Sequence, residues 1–309
     1  MPKVSAKFGF WPKKESISMD AVQIETLDDA SSNVESILCS EWMHKDWFYA
    51  PTAASYNTVS GVTTQLPYSL RVFQLPFTHR ITHTTDDNKQ HLDFLVWCLG
   101  FFEGIRLTTS EAGYLDATPV KTGKLTDFIL TNGTQLSDAV ELAERYWMDN
   151  MVDLRQGKRM IGVIHCLFLA QNPKHLSFER FTYLYMALDA CFKLASKRFE
   201  PTKRLSHASR IEWTCQQFDI PVPAWARPVD QRSEVSVARN DTIHEALFFE
   251  EPLGFATYGG NNDTGYSSYV LLQMEALICR LVIALLGRPD AAYVRSEVKT
   301  RQIHGLSLK

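Results

Sequence analysis

Arg239, Asn240 and His244 fall within the six-residue run Arg239-Asn240-Asp241-Thr242-Ile243-His244. A guanidinium carries a planar fork of donors that matches two phosphate oxygens. An imidazole exchanges protons near neutral pH. A cation for developing negative charge beside a proton carrier is the equipment for breaking a phosphodiester without a metal.

Asn240 and His244 are four apart and share a helical face. Arg239 and His244 are five apart, about 500° of helical rotation, so they diverge by about 140°. On a continuous helix the pair needs the length of arginine, a bend in the backbone, or a second chain facing the first. A plainer reading competes with this one. Thr242 and Glu245 fit a capping box with Thr242 as N-cap, which makes Asn240 and Asp241 turn residues before a helix start. The pattern is also not unique, because Arg159 and His165 form a similar pair inside an apolar run.

The elements that must position these residues divide the chain. Residues 1–135 read as a β-rich domain: Val4 to Trp11, Ala21 to Thr26 and Ser69 to Phe77 are short aliphatic, aromatic and Thr runs between turn-forming clusters. Leu92 to Phe102 suits a buried strand or a buried helix. Thr131-Asn132-Gly133-Thr134 marks a turn and a boundary. Residues 136–290 read as helical. Ser137 is the expected cap of a helix through Asn150, and Met160 to Ala170 forms another apolar segment. Ser177 is the expected cap of a helix whose Phe178, Phe181, Tyr185, Leu188, Phe192 and Ala195 recur at spacings of three and four. A shorter helix spans about His207 to Phe218. Residues near Arg232 to Phe249 are expected to be helical over part of their length. Gly254 to Gly265 reads as a loop, Ser267 to Leu286 as a final helix closed by Gly287, and 291–309 as a polar tail.

The bulk properties bound the partners. The net charge of −3 over 309 residues does not announce a nucleic-acid binder, so any such surface must be local. The first 135 residues carry 11 Lys/Arg against 15 Asp/Glu; whole-chain totals of 32 and 35 leave 21 and 20 for the rest. Six dispersed cysteines without C-x-x-C predict reduced, buried thiols. The start Met1-Pro2-Lys3-Val4 lacks a signal-peptide run. The most apolar stretch, Tyr269 to Leu286, is interrupted by Gln273, Glu275 and Arg280. A soluble, cytoplasmic protein is expected.

The helical part resembles the HEPN superfamily, and the wording Arg239-Asn240-x-x-x-His244-Glu245 before an apolar C-terminal helix is most similar to its ApeA-like branch. The resemblance covers roughly residues 136–290, and Pro252 to Tyr266 departs from it by being long and Gly-rich. It implies an α+β chain: an N-terminal β-rich domain with a sensing or regulatory role, then an all-α HEPN-like helical bundle. It implies a metal-independent endoribonuclease of a prokaryotic defence or toxin type, with no cofactor. In that scheme His244 is acid or base, Arg239 stabilises the transition state, and Asn240 orients the phosphate or the imidazole. The products are a 2′,3′-cyclic phosphate and a 5′-hydroxyl. Implied partners are RNA, a second copy of the chain that completes the catalytic cleft in a homodimer, and an antitoxin or phage-derived trigger. The alternative is a catalytically silent HEPN-like module that binds nucleic acid, nucleotide or protein. A helical dimerisation scaffold is a third reading.

Lys193, Lys197, Arg198, Lys203, Arg204 and Arg210 form the densest positive run, and Lys197, Arg198, Lys203 and Arg204 are the candidate RNA contacts. Cations also favour helix C-termini, which explains the run without RNA. Arg288, Arg295, Lys299 and Arg301 make the tail a second basic candidate. His79, His83, His91 and Asp93 have no established ligand spacing, so no metal site is expected. Gly259-Gly260 lacks the Lys and Ser/Thr of a phosphate loop.

Overall fold

The computed structural model describes residues 3–51, 54–65, 72–110, 114–130, 134–245, 268–300 and 306–308. The chain is mixed α and β, in two compact units, Met1–Leu125 and Thr126–Lys309. Every strand among the described residues lies in the first unit, and the second is built from helices.

In the first unit β1 (Val4–Phe8), β2 (Ile17–Ser18), β3 (Val22–Thr26) and α1 (Ala30–Leu38) come first. β4 (Met43–His44), β5 (Trp47–Tyr49), β6 (Ala54–Tyr56), β7 (Thr63–Gln65) and β8 (Val72–Phe73) follow. β9 (His79–His83), α2 (Lys89–Glu103), β10 (Tyr114–Leu115) and β11 (Ala117–Pro119) complete it. The largest sheet is antiparallel with order β1-β9-β3-β2. Along β3, Val22 and Ile24 are buried while Gln23 and Glu25 are exposed, the period of two that one covered face imposes. The ambiguous run from Leu92 to Phe102 lies within the helix α2. Asn88 caps it by accepting from the Gln90 amide, and Gly104 ends it in the left-handed region at φ 59°. Its sides are covered nearly all round, so the apolar run carries no polar stripe. Gly100 permits this packing: a Cβ there would lie 2.8 Å from the Ile105 carbonyl oxygen.

The second unit contains α3 (Leu136–Asn150), α4 (Leu154–Ala170), α5 (Ser177–Phe199), α6 (His207–Gln217), α7 (Glu234–His244) and α8 (Ser268–Leu286). The first unit's boundary falls at Leu125, and residue 136 instead marks the start of α3. α5 is the central helix, touching α4, α6, α7 and α8. Phe181, Leu184, Tyr185, Leu188, Cys191 and Phe192 are buried along it. Each large apolar side chain so covered contributes about 1.5–3 kcal/mol.

Several local expectations give way. α3 starts at Leu136 with Gln135 as its N-cap, so Ser137 is already helical. Ser177 is the first helical residue of α5, and Leu176 occupies the cap position with its amide donating to the Glu179 carboxylate at 2.8 Å. Residues 291–296 are no polar tail. Ala291, Tyr293 and Val294 are buried, and the Arg280 guanidinium lies 4.3 Å over the Tyr293 ring. Arg280, itself buried, donates from Nε to the Ser296 carbonyl at 3.1 Å and from Nη2 to the Ser296 hydroxyl at 3.0 Å. A buried cation needs acceptors, and this segment supplies them. The thiols of Cys98, Cys191, Cys215 and Cys279 are buried as expected, but Cys39 is exposed. Thr131 to Gly133, residues 246–249, the Gly-rich stretch 254–265 and Arg301 lie outside the described residues. No helix among the described residues is long and apolar enough to cross a membrane.

Candidate functional site

α7 begins at Ser233. Its backbone N–H donates to the Ser236 hydroxyl at 2.9 Å, which donates back to the Ser233 carbonyl at 2.8 Å. From there the helix runs unbroken to His244. Thr242 is therefore buried in the last turn and caps nothing, because a helix already in progress has no orphan donors at that position. The capping-box reading is corrected.

The continuous helix still unites the motif. Arg239 Nη1 lies 2.6 Å from His244 Nε2 and 2.9 Å from Asn240 Oδ1. The length of arginine spans the angular divergence, and no bend is needed. A guanidinium can only donate, so His244 Nε2 is the acceptor and its ring proton sits on Nδ1 in this arrangement. Asn240 and His244 are exposed and Arg239 is half-buried. Arg239 Nε is enclosed and has no hydrogen-bond partner among the described residues.

A second group of side chains, not singled out in the sequence, lies beside this motif. His207, the first residue of α6, has Nδ1 at 3.1 Å from the Tyr185 hydroxyl, 3.3 Å from Arg210 Nη1 and 3.9 Å from Asp189 Oδ1. Arg210 Nη1 also donates to Asp189 Oδ1 at 2.5 Å. Tyr185 and Asp189 are four apart on α5, and His207 and Arg210 three apart on α6, so each pair shares a helical face. Burial, then the Asp189 carboxylate, pushes the Tyr185 hydroxyl up to about 12. Burial, then the Arg210 cation, lowers the proton affinity of His207. A cavity of about 450 Å³ is lined by Ser206 and His207 together with Asn240 and Asp241, while Arg239 and His244 are not in its lining.

The remaining candidates do not converge here. Lys197 and Arg198 are exposed in the last turn of α5, and Lys203 and Arg204 are exposed in the connection to α6. None of the four lines that cavity among the described residues. Arg210 does not present a solvated charge, because Asp189 holds it.

His79, His83, His91 and Asp93 belong to the first unit. His79 is fully buried against Phe8 and Trp11, with its ring nitrogens at 2.9 Å from the Thr78 hydroxyl and 3.1 Å from the Thr26 hydroxyl. Burial lowers it to about 4. The His83 ring lies tilted at 42° to the His91 ring with 4.7 Å between centroids, and His91 Nδ1 lies 2.7 Å from Asp86 Oδ2. Asp93 accepts from the Thr109 hydroxyl instead.

A scan against models of protein families finds no match to this chain, and searches of curated proteins and of solved structures find none.

Proposed function

We propose that the chain is a metal-independent endoribonuclease of the HEPN type, with Arg239, Asn240 and His244 as its catalytic group. The observation that carries this reading is the 2.6 Å approach of Arg239 to His244 with Asn240 on the same guanidinium. The half-buried Arg239 guanidinium is a donor fork suited to phosphoryl oxygens. The ribose 2′-hydroxyl attacks the adjacent phosphorus, and the 5′-oxygen leaves as a hydroxyl. His244 serves one of the two proton transfers, Arg239 stabilises the charge that develops on the phosphoryl oxygens, and Asn240 orients the phosphate. By the same resemblance the protein acts in the cytoplasm as a prokaryotic defence or toxin effector. It would assemble as a homodimer, answer to an antitoxin or a phage-derived trigger, and use its first unit for sensing. Exposed Lys197, Arg198, Lys203 and Arg204 are offered as outer contacts to the RNA backbone.

The test is cleavage of diverse single-stranded RNAs by purified protein in excess chelator. Arg239→Ala and His244→Ala should each reduce cleavage by about 10²–10⁴-fold while the circular dichroism spectrum stays unchanged. Undiminished cleavage by His244→Ala sinks the proposal. Wild-type protein that binds RNA and leaves it intact would instead mark a silent binding module.

A further inference from the structure

We propose that the second unit holds a binding site for an uncharged aromatic or heteroaromatic molecule, which buries a carbonyl oxygen on the side-chain amide of Gln273. The site is a cavity of about 590 Å³, a size that takes small-molecule ligands. Neither Arg239 nor His244 is in its lining, so its occupancy is independent of the ribonuclease reading.

Pro221 and Pro223 stiffen the chain ahead of a single 3-10 turn, Ala224–Ala226. That turn carries Trp225, which is buried and donates from Nε1 to Gln273 Oε1 on α8 at 3.0 Å. An indole N–H can only donate, so the amide oxygen of Gln273 must face it and the amide nitrogen is turned the other way. That nitrogen carries two N–H donors and has no hydrogen-bond partner among the described residues. Gln273 is 8% exposed and lines the cavity. A ligand seated there takes those donors out of contact with water, and it must supply an acceptor in return.

The rest of the lining sets the chemistry of the ligand. Pro221, Val222, Pro223, Trp225, Val270 and Val298 are buried or half-buried and give apolar walls. An indole and two pyrrolidine rings among them suit a flat ring system. Charge is confined to exposed side chains and balances: Arg227 and Lys299 against Glu234 and Glu297. Lys299 Nζ also lies 3.7 Å from Glu297 Oε2. Such a rim offers no net field to hold an anion or a cation. Apolar area then supplies the affinity, and the fixed Gln273 amide supplies the selection.

Isothermal titration of the full chain with three probes that differ at one group tests the site: indole, indole-3-carboxamide and indole-3-carboxylate. The carboxamide should bind roughly tenfold to a hundredfold more tightly than indole, and more tightly than the carboxylate. Val298→Trp fills the cavity from a half-buried wall and should abolish binding of all three with the thermal melt unchanged. Gln273→Met keeps the length of the side chain and removes the donors, which should bring the carboxamide down to the level of indole. It also leaves the Trp225 N–H without its acceptor, so Val298→Trp decides the matter if that variant fails to fold. Carboxamide binding no tighter than indole, or untouched by Val298→Trp, overturns the proposal. Failure of all three probes to bind at their solubility limits does the same. Preference for the carboxylate, lost in Arg227→Ala, would mark an anion site and overturn the assignment of an uncharged ligand. All of these outcomes are read without RNA and leave the Arg239–His244 reading as it stands.

Discussion

In the proposed ribonuclease reading, one nitrogen of His244 stands at the branch point of the chemistry. While Nε2 accepts from Arg239 the pair is closed, and a substrate phosphate must compete for the guanidinium. Asn240 keeps part of that guanidinium oriented when His244 lets go, because its Oδ1 remains 2.9 Å from Nη1. The types and spacing of these three residues were legible in the sequence. The reach of Arg239 across five positions was also open to calculation, but only coordinates choose it over a bend or a partner chain. His207 was hidden for a different reason. Its partners Tyr185 and Asp189 precede it by 22 and 18 residues on another helix, and Tyr185 reads as one more aromatic in a core stripe. A separate single-residue effect concerns acid stability. Unfolded, His79 takes its proton near 6.5, whereas folded it does so only near about 4. Stability is therefore full above pH 6.5 and lost as pH falls from there toward 4, by on the order of 3 kcal/mol. Urea denaturation of the first unit, followed by tryptophan fluorescence at pH 7 and pH 4.5, should report that loss. His79→Phe should flatten the pH dependence while costing stability at pH 7, since two threonine hydroxyls lose their ring partner.

The helix α7 owes its start to Ser233 and Ser236 and its seat to buried Val235. The sequence suggested the wrong start because Thr242-x-x-Glu245 satisfies a capping pattern as well as Ser233 does. What decides between them is burial: Val235 and Ser236 are already covered, which a turn preceding Thr242 would not achieve. The same limit explains α2, where an unbroken apolar run has no period to read and only the Asn88 cap and the terminal Gly104 declare a helix. Ser236→Ala removes both halves of the reciprocal bond at the start of α7. It should destabilise the second unit by about 1 kcal/mol and speed hydrogen exchange of the amides from 234 to 244. Cleavage should fall with it, because Arg239 and His244 meet only while that helix is wound. Unchanged exchange in α7 would show that the helix is held by its neighbours alone.

The two-part build of the molecule was visible as a change of period, from short β-like runs to helical stripes. The end of the chain was not, because its burial comes from Arg280, a cation that sequence reasoning treats as an interruption of an apolar helix. Arg280 draws Tyr293 and Ser296 inward and makes residues 291–296 part of the second unit. The motif's assembly within one chain has a consequence for oligomers. If Arg239 of one copy served His244 of another, mixing two inactive variants would rebuild intact sites. The 2.6 Å contact lies within a single chain, so the proposed centre takes both residues from the same polypeptide. An equimolar mixture of Arg239→Ala and His244→Ala proteins, unfolded and refolded together to exchange any subunits, should therefore remain as inactive as either alone. Titrating wild type with His244→Ala protein should leave the cleavage rate per wild-type chain unchanged. Recovery of a quarter or more of wild-type activity in the mixture would place the arginine and the histidine of a working centre on different chains. A dimer would then be required by the chemistry as well as by the resemblance.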